Sequence, residues 1–126
     1  MEPLVLDAAP KTPIINLNAS NGVLLFEGRS TPEDSIGFYE PILNWLDAYS
    51  ANPQPLTEVN LKFEYFNTSS SKCILDVLKK IVNLHKKGNA VKVKWFSDEE
   101  DEDMQEAGED YSDILELPFE IIKVKM

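Results

Sequence analysis

A chain of 126 residues that is 43% hydrophobic and 10% aromatic fits one domain with a packed core, and is too apolar to be disordered. Its single cysteine, Cys73, excludes an internal disulfide framework and any multi-cysteine metal site. A net charge of −10 argues against nucleic acid or an anionic membrane as the main partner, since neither would meet a positive field.

The charge is unevenly placed. Nine acids and no bases lie between Asp98 and Asp110; without them, 13 acids face 12 lysines and arginines. Residues 98–110 are thus an acidic surface segment on an otherwise near-neutral domain spanning 1–126, better matched to a basic protein surface than to phosphate. The N-terminal Met1-Glu2-Pro3-Leu4 has no basic n-region, and no apolar run approaches the ~20 residues of a membrane span. The expected address is the cytoplasm.

Ile14–Leu17 and Val23–Gly28 are short apolar runs separated by a loop containing Asn21-Gly22, a pair that tolerates positive φ and predicts a β-hairpin. Ser30-Thr31-Pro32-Glu33-Asp34 reads as a helix start, with a hydroxyl cap and acids at the positive end of the dipole. Ile36, Tyr39, Leu43, Leu46 and Tyr49 follow at helical spacing, interrupted by Pro41, where a kink or restart is expected. Val59, Leu61, Phe63 and Tyr65 alternate with more polar neighbours as an inward-facing strand set. A second helix carries Ile74, Leu75, Val77, Leu78, Ile81, Val82 and His85, and ends on His85-Lys86-Lys87 before Gly88. Val91, Val93 and Trp95 form a further strand. A possible short helix leads into Tyr111–Leu115, and a last strand covers Phe119–Lys125. The order β-β-α-β-α-β-(α)-β predicts right-handed crossovers and a mixed sheet with helices mainly on one face.

The chemistry is concentrated at the strand-to-helix junction Tyr65–Lys72. Thr68, Ser69, Ser70 and Ser71 are four consecutive hydroxyls at a helix start, followed by Lys72. One hydroxyl suffices to cap a helix. The same N-terminus also suits a phosphate, whose dianion is stabilised by free N–H groups and the dipole. Residue types alone leave both readings open. Other candidates are weaker. From Asp98 or Asp101 the acidic run lacks the glycine that a calcium loop needs at its sixth position. Cys73 and His85 lie twelve positions apart on one helix, roughly 18 Å, too far for a nucleophile–base pair. No P-loop, GxGxxG or HExxH pattern occurs. The expectation is a protein without catalysis, cofactor or metal.

Tyr65–Lys72 with Ile74-Leu75-Asp76-Val77-Leu78 resembles the signature of the SiaC family of bacterial regulatory phosphoproteins. Gly37-Phe38-Tyr39-Glu40-Pro41 with Trp45-Leu46, Trp95-Phe96-Ser97-Asp98-Glu99, and Glu106-Ala107-Gly108-Glu109 with Leu117-Pro118-Phe119 agree in the same order. The resemblance implies a STAS-like α/β fold, akin to anti-sigma-factor antagonists. It also implies partner switching: Thr68 as the phospho-acceptor, with Asn67, Ser69, Ser70, Ser71 and Lys72 around it. A partner kinase and a metal-dependent Ser/Thr phosphatase would set its state, and the unphosphorylated form would activate an effector, a diguanylate cyclase in the best-known system. Biofilm and aggregation control through cyclic di-guanylate would be the output. Alternatives are an anti-sigma-factor antagonist in transcription control, or a STAS-like module holding an anionic small molecule on its hydroxyls and helix N–H groups.

Overall fold

A computed structural model of the protein describes residues 1–125. Nine elements follow one another: β1 (Leu4–Leu6), β2 (Ile14–Asn18), β3 (Val23–Ser30), α1 (Ser35–Tyr49), β4 (Leu56–Phe66), α2 (Thr68–Lys86), β5 (Ala90–Asp98), α3 (Glu102–Leu115) and β6 (Phe119–Val124). They build one six-stranded sheet whose spatial order equals its chain order. β1, β2 and β3 pair antiparallel; β3 to β6 are parallel. Three successive crossovers of the same, right-handed sense in one direction place all three helices on one face of the sheet. Burial agrees: along β4, Thr57, Val59, Leu61 and Phe63 are buried, whereas Glu58, Asn60 and Lys62 face the other way and are only half-buried. α1 packs on α2 and α2 on α3. The core lies between this helical layer and the sheet, around Trp95, Tyr39, Tyr49, Phe26 and Phe63.

The hairpin forms as the sequence predicts, with Asn18 paired to Val23 across the loop. Gly22 closes it at φ +72°, where a Cβ would lie 2.6 Å from the Leu56 carbonyl oxygen, so glycine is required for space as well as backbone. Several expectations are corrected. β1 is an additional edge strand, paired Leu4 to Leu17 and tied down at Glu2, whose carbonyl accepts the Trp45 indole N–H at 2.9 Å. α1 does not begin at Ser30: that residue ends β3, and Asp34 is the cap, accepting the Gly37 N–H at 3.0 Å. α1 runs unbroken through Pro41, and Ile36, expected inward, is 77% exposed. His85 of α2 is also exposed; Leu84 takes the buried place. The expected short helix near Tyr111 is a full fourteen-residue helix that starts inside the acidic segment at its Asp101 cap.

The most consequential correction is at the end of β4. The register slips there, with Gly28 opposite Phe63 but Arg29 opposite Tyr65, so Glu64 is an extra residue in a bulge. Side-chain parity inverts beyond it. Tyr65, expected in the core, is 47% exposed and lies under the Arg29 guanidinium, 4.8 Å from its ring centroid. Phe66 turns inward instead and packs against Phe63, Trp95 and Tyr111.

Candidate phosphorylation site at the start of helix α2

Asn67 is the N-cap of α2, and its side-chain oxygen accepts the Ser70 N–H at 2.9 Å. All three helices are capped in this way, by Asp34, Asn67 and Asp101, so no hydroxyl of the Thr68–Ser71 run is needed as a cap. The three serines instead join neighbouring elements. Ser70 is fully buried and meets Ser30 of β3 at 3.0 Å and Ser35 of α1 at 3.4 Å. Ser69 meets Ser35 at 2.7 Å and the Asn67 oxygen at 3.2 Å. Ser71 faces the other side, where its hydroxyl lies 2.9 Å from the Tyr111 hydroxyl of α3.

Each hydroxyl has one proton to give, which fixes the direction of this network. Ser69 donates to Asn67, so Ser35 donates to Ser69 and Ser70 to Ser35. Ser30 donates to Ser70, so Tyr39, 2.8 Å away, donates to Ser30. The result is a single-sense chain of five hydroxyls, Tyr39–Ser30–Ser70–Ser35–Ser69, ending on the cap carboxamide beside Thr68. On the opposite flank Tyr111 donates to the Ser71 carbonyl at 2.8 Å and accepts from the Ser71 hydroxyl. The first turn of α2 is thereby clamped from both sides.

Thr68 alone of the four is left out. It is exposed, occupies the first position of α2, and makes no side-chain hydrogen bond among the described residues. Lys72, also exposed, sits four residues on, on the same helical face. A phosphoryl group on Thr68 would stand at the positive end of the α2 dipole with an ammonium within one turn.

Four of the chain's residues that shape this turn, Ser30, Ser35, Tyr39 and Tyr111, were not singled out for it by sequence. Ser30 and Ser70 are forty positions apart, and only the parallel register, Ser30 opposite Phe66, brings them together. Ser30→Ala is expected to leave the Tyr39 and Ser70 hydroxyls buried with a lost partner and to cost about 1–3 kcal/mol, read as a lower urea midpoint at unchanged slope. Adding Tyr39→Phe should restore part of that loss.

Comparison with known proteins places this geometry. Residues 6–124 match the model of the SiaC family regulatory phosphoprotein. The chain belongs to the SiaC family. An uncharacterised protein of Pseudomonas aeruginosa (strain UCBPP-PA14) is 30% identical over 121 residues, 96% of each chain. The crystal structure of apo-SiaC from Pseudomonas aeruginosa superposes with a TM-score of 0.88 at 29% identity, covering 97% of this chain and 99% of that one. A chain in the crystal structure of the diguanylate cyclase SiaD in complex with its activator SiaC, from the same organism, gives 0.90 at 29% identity, covering 96% and 99%. The STAS-like mixed α/β fold expected from sequence is thus the SiaC fold.

The electrostatics of this SiaC-family site are those of a buried neutral network. Burial pushes the Tyr39 phenol far above its ordinary value of 10.0, the Ser30 hydrogen bond opposing it only in part, and burial likewise raises Tyr111. Burial, with Asp76 and Asp34 nearby, also raises the Cys73 thiol, so that cysteine is not an activated nucleophile. The tyrosine shifts give a signed prediction. An unfolded tyrosine loses its proton near pH 10 while folded Tyr39 keeps it, so the unfolded state binds fewer protons and stability falls as pH rises above 10. Urea midpoints measured from pH 8 to 11 should decline, and Tyr39→Phe should flatten the decline, leaving the smaller part due to Tyr111. No helix among the described residues is long and apolar enough to cross a membrane.

Proposed function

We propose that this SiaC-family protein is a non-enzymatic partner switch of the cytoplasm, phosphorylated on Thr68, that in its unphosphorylated form binds and activates a diguanylate cyclase. The single observation carrying the assignment of Thr68 is its exposed, unengaged hydroxyl on a helix turn whose three serines are all held by hydrogen bonds. A kinase needs an acceptor that can leave the surface without dismantling the fold, and Ser69, Ser70 and Ser71 do not meet that condition. The effector class is supported by the likeness to a chain in the SiaD–SiaC complex.

In this reading a kinase and a metal-dependent Ser/Thr phosphatase set the state of Thr68. Ile36 in the first turn of α1 and Tyr65 at the end of β4 are exposed large apolar side chains, the kind of contact area that a docking surface requires. A phosphate there adds about −1.5 to −2 charges to an already acidic protein. Its effect is local, since charges are screened over about 8 Å at physiological ionic strength. Phosphopeptide mapping of the protein from its own cells, with phosphatase inhibited, tests the assignment. Phosphate on Thr68 is the expected result; phosphate confined to another residue, or none under any growth condition, overturns it.

A further inference from the structure

With all three helices on one side, the opposite face of the sheet carries no layer, and at the C-terminal ends of its parallel strands it is concave. A cavity of about 730 Å³ opens there, twice the volume of the groove between α2 and α3 at about 350 Å³. Its floor is apolar, built by Phe96 of β5 and Val124 of β6. Its rim is acidic: Glu27 of β3, Glu64 in the β4 bulge, Asp98 at the end of β5 and the α3 cap Asp101. Among the described residues one cation lines it, Lys62, and it makes no ion pair there. Its ammonium lies 4.8 Å over the Phe96 ring, whereas one row lower on the same face Lys94 pairs directly with Glu58 at 3.1 Å. The aromatic floor therefore already holds a cation, beside the carboxylates of the rim.

We infer that this groove docks a basic, extended segment of a partner protein, with an arginine or lysine side chain laid on Phe96 in place of Lys62. Charge complementarity selects the occupant: the rim is acidic, and the floor offers the ring face on which a guanidinium stacks. Size selects a segment over a single amine. From Glu27 on β3 to Val124 on β6 the groove crosses four strands, about 14 Å at ~4.8 Å per strand. An extended peptide covers that in about four residues at ~3.3 Å each. The β4 bulge matters because Glu64 is the unpaired extra residue, lifted out of the ladder onto the rim. Thr68 is not among the residues that line the groove.

The test is titration of the intact protein with an acetylated tetra-arginine peptide at near-physiological salt, followed by amide NMR shifts and a binding isotherm. Shifts centred on Lys62, Glu64 and Phe96 are expected. Glu27→Gln with Glu64→Gln should weaken binding about fivefold, two exposed charge pairs lost, and Phe96→Leu about threefold, from the lost ring face. Glu106→Gln with Glu109→Gln on exposed α3 positions removes the same net charge and should leave binding within about twofold. Equal weakening by both pairs, or shifts centred on α3, would reduce the effect to diffuse attraction and overturn the proposal. Spermine competing at the same residues as tightly as the peptide would also overturn it, in favour of a free polyamine site.

Discussion

Thr68→Glu is expected to weaken binding to a diguanylate cyclase effector about a hundredfold, while Thr68→Ala leaves it within about threefold. The argument is one of desolvation. If the effector covers the first turn of α2, a carboxylate at position 68 is buried without a partner, and an uncompensated buried charge costs about 3 kcal/mol or more. Alanine removes a hydroxyl that makes no hydrogen bond among the described residues, so it leaves nothing there unsatisfied. Stability should barely move in either variant, because Asn67, not Thr68, is the cap. Isotherms against the purified cyclase, with melting curves of each variant, check this. Equal binding by both variants would mean that the effector docks elsewhere. A hundredfold loss in both would mean that the threonine side chain itself is a contact.

The second large effect is in the core. Gly108→Ala is expected to destabilise the protein by about 2 kcal/mol or more, lowering Tm by about 6–10 °C. Gly108 is buried where α3 crosses Trp95, and a Cβ there would lie 2.5 Å from Trp95 Cδ1 and 2.8 Å from its Nε1. The indole has nowhere to retreat. It is fully buried, donates to the Met104 carbonyl at 2.9 Å, and packs against Phe63, Phe66, Tyr111 and Phe119. Alanine's better helix propensity returns about 1 kcal/mol, already counted in the net figure. Gly88, at φ +96° with no atom within 4 Å of its added Cβ, provides the comparison. There Gly88→Ala should cost only the backbone penalty, about 1 kcal/mol.

These two positions also mark what the sequence disclosed. The hairpin, the three crossovers and the α2 core from Ile74 to Val82 follow from periodicity, because their buried residues are large and apolar. The full length of α3 is not legible in the pattern, because its buried positions are Met104, Gln105, Gly108 and Tyr111, a stripe with too little hydrophobicity to register. β1 offers only three residues after Pro3, too few for a pattern. Alternation places Tyr65 in the core because it cannot see a bulge; one extra residue at Glu64 exchanges its place with Phe66. At the site, the inventory was legible and the arrangement was not. Thr68 to Ser71 are visible as a run, yet which hydroxyl is available depends on Ser30, Ser35, Tyr39 and Tyr111. Those partners lie on three other elements, brought in by register and packing.

The strand order has a consequence for how the molecule comes apart. When spatial order equals chain order, most contacts are between consecutive units, so the fold is assembled and disassembled from its ends. The α3–β6 unit is outermost, held to the rest by β5 and by one side of α2. It is therefore the natural low-energy opening unit in native-state hydrogen exchange, ahead of the hairpin and α1. Its opening carries away Tyr111, and with it the hydrogen bonds to the Ser71 carbonyl and hydroxyl. The start of α2 would then be held from one side only, so fraying at the C-terminal end of the chain reaches the turn that carries Thr68.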